Sequence, residues 1–131
     1  MEVYTVLKNT VAFPIIANIP HSSTFIPPKI RNGFLIGHKE FERELLLLTD
    51  RYVDELFSAI LKGGGILVKY NCSRIVVDPE RFEYDREEEM SKVGMGVIYV
   101  KTSDGRDLRN KPGQTEDRGF LKAFTILITW L

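Results

Sequence analysis

Residues 15–23 read Ile15-Ile16-Ala17-Asn18-Ile19-Pro20-His21-Ser22-Ser23. An apolar run of strand length closed by proline predicts a buried strand over residues 14–19. The residue that follows Pro20 is one of only two histidines in the chain. In open α/β sheets ligands bind just beyond the carboxyl ends of strands, so His21 stands where chemistry is commonly done. A loop histidine beside Ser22 or Ser23 with no such role is the plain alternative.

Downstream of this strand the pattern changes period. Ser22 to Gly33 is polar, and Pro27-Pro28 predicts a loop rather than a helix. From Lys39, the apolar residues Phe41, Leu45, Leu48, Tyr52, Leu56 and Ile60 recur at spacings of three and four, a helical stripe. The stripe fits one long helix, or two joined near Thr49-Asp50 with either residue as an N-cap. Gly63-Gly64-Gly65 ends it, and Ile66-Leu67-Val68-Lys69-Tyr70 reads as the next strand. Strand, loop, helix, glycine turn and strand make a βαβ unit, which favours a mainly parallel sheet. Residues 2–7 add a short first strand. Residues 74–78 continue in extended form, and Gly96 to Val100 forms a further strand before the Asp104-Gly105 turn. Pro79 to Lys92 is highly charged and reads as irregular, with Arg86 to Glu89 a solvated run.

The bulk numbers fit one domain of an ordinary globular protein. The chain has 131 residues, 44% hydrophobic and 27% charged, long enough for a real core. Eighteen basic residues balance eighteen acidic ones, so no overall field favours nucleic acid or an anionic membrane. Cys72 is the only cysteine, which excludes an internal disulfide and a thiolate zinc cluster. The start lacks the basic and apolar regions of a signal peptide, and no run reaches membrane-spanning length, so the cytoplasm is the expected location.

Three places can carry chemistry. His21 is the first. Asp50 is the second, a carboxylate interrupting an apolar tract, either a helix cap or a polar group facing a site. The third is Ser73-Arg74-Ile75-Val76-Val77-Asp78-Pro79-Glu80-Arg81, where two arginines bracket the carboxylates Asp78 and Glu80. Arginine's planar fork grips carboxylates, so Arg74 or Arg81 suits an acidic ligand. An internal Arg–Asp pair fixing the strand end fits the same residues equally well.

Four blocks taken together resemble the N-formylglutamate amidohydrolases and their relatives. They are Asn18 to Ser23; Thr49-Asp50 with Val53-Asp54-Glu55-Leu56; Ser73 to Phe82; and Gly94 to Tyr99 with Thr102 to Arg109. The resemblance spans residues 14–109. It implies a phosphorylase/hydrolase-like α/β fold, similar to the zinc carboxypeptidases and aspartoacylases, with a mixed, mainly parallel central sheet flanked by helices. It implies hydrolysis of the amide of an acidic N-acyl amino acid, with N-formylglutamate yielding glutamate and formate. His21 and Asp50 would then act in catalysis as ligands of a divalent metal, most simply zinc, with Asp50 either a ligand or the group that orients His21. Ser22, Arg74, Asp78 and Arg81 would bind substrate. The related deacylases carry an Asp-Leu-Asn-Arg type motif where this chain has Asp78-Pro79-Glu80-Arg81, and a glutamate cannot supply the amide donor of that asparagine.

The resemblance also implies a longer protein with a second histidine ligand and an acidic base downstream. The only other histidine here is His38, at the expected exposed start of a helix. Residues 1–123 therefore read as the N-terminal part of one amidohydrolase domain, and residues 124–131, Phe-Thr-Ile-Leu-Ile-Thr-Trp-Leu, as an atypical tail. One nucleotide string encoding that tail, preceded by a T and regrouped one base earlier, reads Phe-Tyr-Tyr-Pro-His-His-Met-Ala. Relatives are expected to carry a Tyr-Tyr-x-Pro-His-His-like segment near this point, so the expectation is a frameshift near residue 123 or 124. A rival from another class is a non-catalytic carboxylate- or partner-binding domain that keeps the arginine pair without the metal. The sequence does not fix the oligomeric state.

Overall fold

A computed structural model describes residues 2–10 and 13–111. Its elements in chain order are β1 (Tyr4–Lys8), β2 (Ile16–Ile19), α1 (Pro28–Arg31), α2 (His38–Leu47), α3 (Val53–Lys62) and β3 (Ile66–Tyr70), followed by a 3₁₀ turn over Glu89–Val93. The tail at 124–131, with the reading-frame expectation attached to it, lies outside the described residues.

The three strands stand in the order β1-β3-β2, with β2 parallel and β1 antiparallel to β3. The βαβ unit formed by β2, α2–α3 and β3 is therefore present. The described sheet is mixed, but one pair of each kind does not make it mainly parallel. The periodicity that revealed β1 carries no information about its direction.

In the register Ala17 pairs with Leu67 and Ile19 with Lys69, so these four share a sheet face. Ala17, Ile19 and Leu67 are buried there against Val53, Phe57, Ile60 and Leu61 of α3. A second cluster joins Phe41 and Leu45 of α2 to Tyr70, Cys72, Ile75, Val76, Val77, Val97, Tyr99 and Leu108. Each large side chain fully buried in this way is worth about 1.5–3 kcal/mol of transfer free energy. Cys72 is buried and free, and burial pushes its thiol up to about 11, so at neutral pH it is a core residue rather than a nucleophile.

Several expectations are corrected. The helical stripe is two helices joined near Thr49-Asp50, the second of the two expected forms, but neither Thr49 nor Asp50 caps the second: Tyr52 takes that place in the left-handed region, with φ 67°. Thr49 Oγ1 instead donates back to the Leu45 carbonyl at 2.6 Å. The break resets the helical phase, so Leu56 is 74% exposed and the half-buried stripe of α3 runs through Val53, Phe57, Ile60 and Leu61. Pro28 opens α1 rather than preventing it, because proline at the first helical position forfeits no hydrogen bond. Residues 74–78 are not a strand. The Ile75 and Val76 carbonyls accept from the Arg109 guanidinium, and the β-branched run is apolar because it fills the core as a turn. Residues 96–100 likewise pair only through isolated bridges, such as Met95 with Tyr99. Within the charged run Glu88 is buried and accepts from the backbone N–H groups of Phe82 and Met90.

Candidate functional site

Because β2 and β3 run parallel, their carboxyl ends open on the same side of the sheet. His21 follows β2 by one residue, and the chain leaving β3 turns through Ser73 to Val77 and delivers Asp78 beside it. Cross-links hold the two segments together: Ser23 Oγ donates to the Asn71 carbonyl at 2.8 Å, and the Ser73 N–H donates to the Phe25 carbonyl at 2.9 Å. The break between α2 and α3 brings Asp50 to the same place, its N–H donating to the His21 carbonyl at 3.0 Å.

Asp78 is the hub. It has no exposed surface, and its Oδ1 lies 2.8 Å from His21 Nε2 and accepts from the Glu80 N–H at 3.1 Å. Its Oδ2 accepts from Tyr99 Oη at 2.6 Å and from Arg74 Nη2 at 2.7 Å and Nε at 3.2 Å, with Arg81 Nε at 3.4 Å. Burial alone would raise this carboxyl, but the hydrogen bonds from His21 and Tyr99 and the charge of Arg74 outweigh it. They hold Asp78 well below the usual carboxylate range. Burial, and then the negative charge of Asp78, push the Tyr99 hydroxyl up to about 12, so it stays protonated and donates.

An ionised Asp78 takes a proton from neither neighbour and accepts the His21 Nε2–H. That tautomer leaves the lone pair of Nδ1 on the other side of the ring. His21 itself is 4% exposed, and Nδ1 has no hydrogen bond among the described residues. Facing it are Asp50 Oδ2 at 3.6 Å and Glu80 Oε2 at 3.7 Å, both on exposed side chains. As they stand, no three or more His, Cys, Asp and Glu side chains among the described residues are gathered into a metal-holding group. The donor types nonetheless fit a divalent metal: an imidazole nitrogen oriented by a carboxylate behind it, with carboxylate oxygens in front.

The structure thus brings His21, Asp50, Arg74, Asp78 and Arg81 together. Asp78 is turned wholly inward, its two oxygens bonded to His21, the Glu80 N–H, Tyr99 and Arg74. Arg74 forms the internal Arg–Asp pair and also donates to Tyr99 Oη at 3.1 Å. Arg81 makes longer contacts, to Asp78 at 3.4 Å and to Glu88 at 3.7 Å, and also interacts with the Tyr99 hydroxyl. Ser22 Oγ is buried with no hydrogen-bond partner among the described residues. Sequence reading gave no role to Tyr99 or Glu80. A tyrosine within an apolar run demands a partner for its hydroxyl when buried, and that signal was available. His38 stands exposed at the start of α2.

Fold and cluster together define an α/β protein that gathers its polar groups at the carboxyl end of a sheet, around one oriented histidine. The sequence pattern of N-formylglutamate amidohydrolase matches residues 13–123, and the chain belongs to that family. The crystal structure of N-formylglutamate amidohydrolase from Ralstonia eutropha JMP134 is similar in fold, with a TM-score of 0.82 at 21% identity. The similarity covers 98% of this chain and 50% of that one, so this chain spans about half the length of the solved protein. No curated protein sequence matches the chain. Among the described residues no helix is long and apolar enough to cross a membrane.

Proposed function

We propose that this chain carries the histidine-centred part of a metal-assisted amidohydrolase acting on N-acyl acidic amino acids of the N-formylglutamate kind. The observation that carries the reading is the pairing of His21 Nε2 with buried Asp78 at 2.8 Å, which turns Nδ1 toward two carboxylates. Family membership supports the substrate class.

In this reading His21 Nδ1 and Asp50 hold the metal. Asp50 is a ligand rather than the group that orients His21, because Asp78 already fills that place. When bound, a divalent ion lowers the pKa of a water to about 7 and polarises the amide carbonyl. The chain's own residues do the rest. Asp78 fixes the tautomer and plane of His21; Tyr99 and Arg74 hold Asp78 ionised and immobile. Arg81, less committed than Arg74, offers its guanidinium to the substrate carboxylate. A carboxylate-binding domain built on both arginines is the weaker reading, since Arg74 is spent inside the protein.

The test is formate release from N-formylglutamate by the full chain with zinc supplied. Activity that a chelator abolishes and zinc restores is the expected result, with Arg81→Ala raising KM about tenfold or more through loss of a charged hydrogen bond. Hydrolysis that persists in chelator, or carboxylate binding without hydrolysis at any zinc level, would sink the reading.

A further inference from the structure

We infer that Glu88 is a positioning residue for substrate recognition, fixing the place of Arg81; the inference rests on the reading of Arg81 as the anchor of a substrate carboxylate. By charge pattern Arg86 to Glu89 reads as a solvated run, and Arg86, Glu87 and Glu89 are indeed exposed. Glu88 is the exception, at 7% exposure. A carboxylate taken out of water needs both oxygens met. Here Oε2 accepts the Phe82 N–H and Oε1 the Met90 N–H, each at 3.0 Å. The backbone of Glu88 is pinned as well: its N–H donates to the Asp85 carbonyl at 3.3 Å, and its carbonyl accepts from Ser91 Oγ at 2.6 Å. One carboxylate thus ties the loop from Phe82 to Met90 at both ends, and its first end is the residue beside Arg81.

The guanidinium of Arg81 lies between two buried anions. Its Nε is 3.4 Å from Asp78 Oδ2 and its Nη1 is 3.7 Å from Glu88 Oε1. Both separations exceed the roughly 2.7–2.9 Å of a charge-assisted hydrogen bond. Arg74 differs: its Nη2 stands 2.7 Å from the same Asp78 oxygen. Arg81 is therefore held from two sides by charge, without the short bidentate pairing that would commit its fork to the protein. Its side chain is 24% exposed, so a ligand can reach it. Asp78 also serves His21, Tyr99 and Arg74. Glu88 has no such further charge to serve: among the described residues Arg81 is the one cation paired with it. A buried, backbone-anchored carboxylate with a single cationic partner fixes where that partner stands.

The test is the dissociation constant of N-formyl-L-glutamate, measured by calorimetry on the full chain in chelator to hold off turnover. Wild type, Arg81→Ala, Glu88→Gln and the double variant are compared, with a thermal unfolding curve for each. Glutamine keeps one oxygen for an N–H but turns a donor toward the other. The expected result is binding weakened about tenfold or more in Arg81→Ala and about fivefold in Glu88→Gln. Glu88→Gln should add nothing once Arg81 is alanine. Mere screening works in the opposite direction, since with one anion fewer beside it Arg81 would attract the substrate more strongly. Unchanged or tighter binding in Glu88→Gln therefore overturns the inference. So does an equal loss in the Arg81→Ala background, because that loss belongs to the fold at large. Should Glu88→Gln not fold, Glu88→Asp, one methylene too short, takes its place with the same expected coupling. Either of these two failures leaves the reading of Arg81 standing. Arg81→Ala that binds as tightly as wild type, or wild type that does not bind, overturns both.

Discussion

Replacement of Asp78 by asparagine is expected to lower the unfolding free energy by about 3–5 kcal/mol, the cost of breaking a buried ion pair by removing one partner. Asparagine keeps the volume and loses the charge. The Arg74 guanidinium, only 17% exposed, then has no counter-ion at its Nη2, and one asparagine amide group points at a donor where an acceptor stood. Tyr99 Oη and His21 Nε2 lose a charged acceptor in the same step. Urea unfolding at pH 7 measures the change, and a variant within 1 kcal/mol of wild type would contradict the hub. The pH dependence follows from the depressed carboxyl. The folded pKa of Asp78 lies below the value of about 3.9 in an unfolded chain. Its contribution is therefore complete above that unfolded value and is lost as pH falls through the folded one. Wild type should lose this part of its stability in acid, and Asp78→Asn, with no carboxyl to protonate, should lack it.

The second large effect is on His21. His21→Ala is expected to remove zinc binding and to bring formate release down to background, while unfolding free energy falls by about 1–3 kcal/mol because Asp78 Oδ1 keeps only the Glu80 N–H as a donor. The modest stability cost against complete loss of metal separates a functional residue from a core histidine. His38→Ala, at an exposed helix start, is the matched control and should change neither quantity. Equal zinc binding by His21→Ala and wild type would remove His21 from the site.

The sequence made the βαβ unit and the place of His21 legible because both rest on short-range signals: apolar period, a proline stop and a glycine turn. Direction and partnership were not legible in the same way. β1 is antiparallel to β3 for reasons of packing that its own five residues do not encode. The run Ile75-Val76-Val77 looks like a strand because burial and pairing both demand β-branched residues, yet its carbonyls bond to Arg109, more than thirty positions away. Leu56 was misplaced because a stripe counted through a helix break loses its phase. At the site, the sequence supplied the residue types, but the pairing of His21 with Asp78, which the resemblance gave to substrate, needed the fold. Charge pattern alone allowed Arg74 to serve substrate or structure; its bonds to Asp78 and Tyr99 decide for structure. Glu80 stood in the most informative block, and only the fold shows its carboxylate 3.7 Å from Nδ1 of His21.

The central claim is that Asp78 holds His21 as the Nε2–H tautomer with Nδ1 open to a ligand. A chain with only two histidines allows a direct test by ¹⁵N NMR of the imidazole nitrogens during zinc titration. The account predicts that His21 carries its proton on Nε2 before zinc is added, that zinc shifts the Nδ1 resonance of His21, and that His38 is unaffected. A proton found on Nδ1, or a zinc response confined to His38, would contradict it.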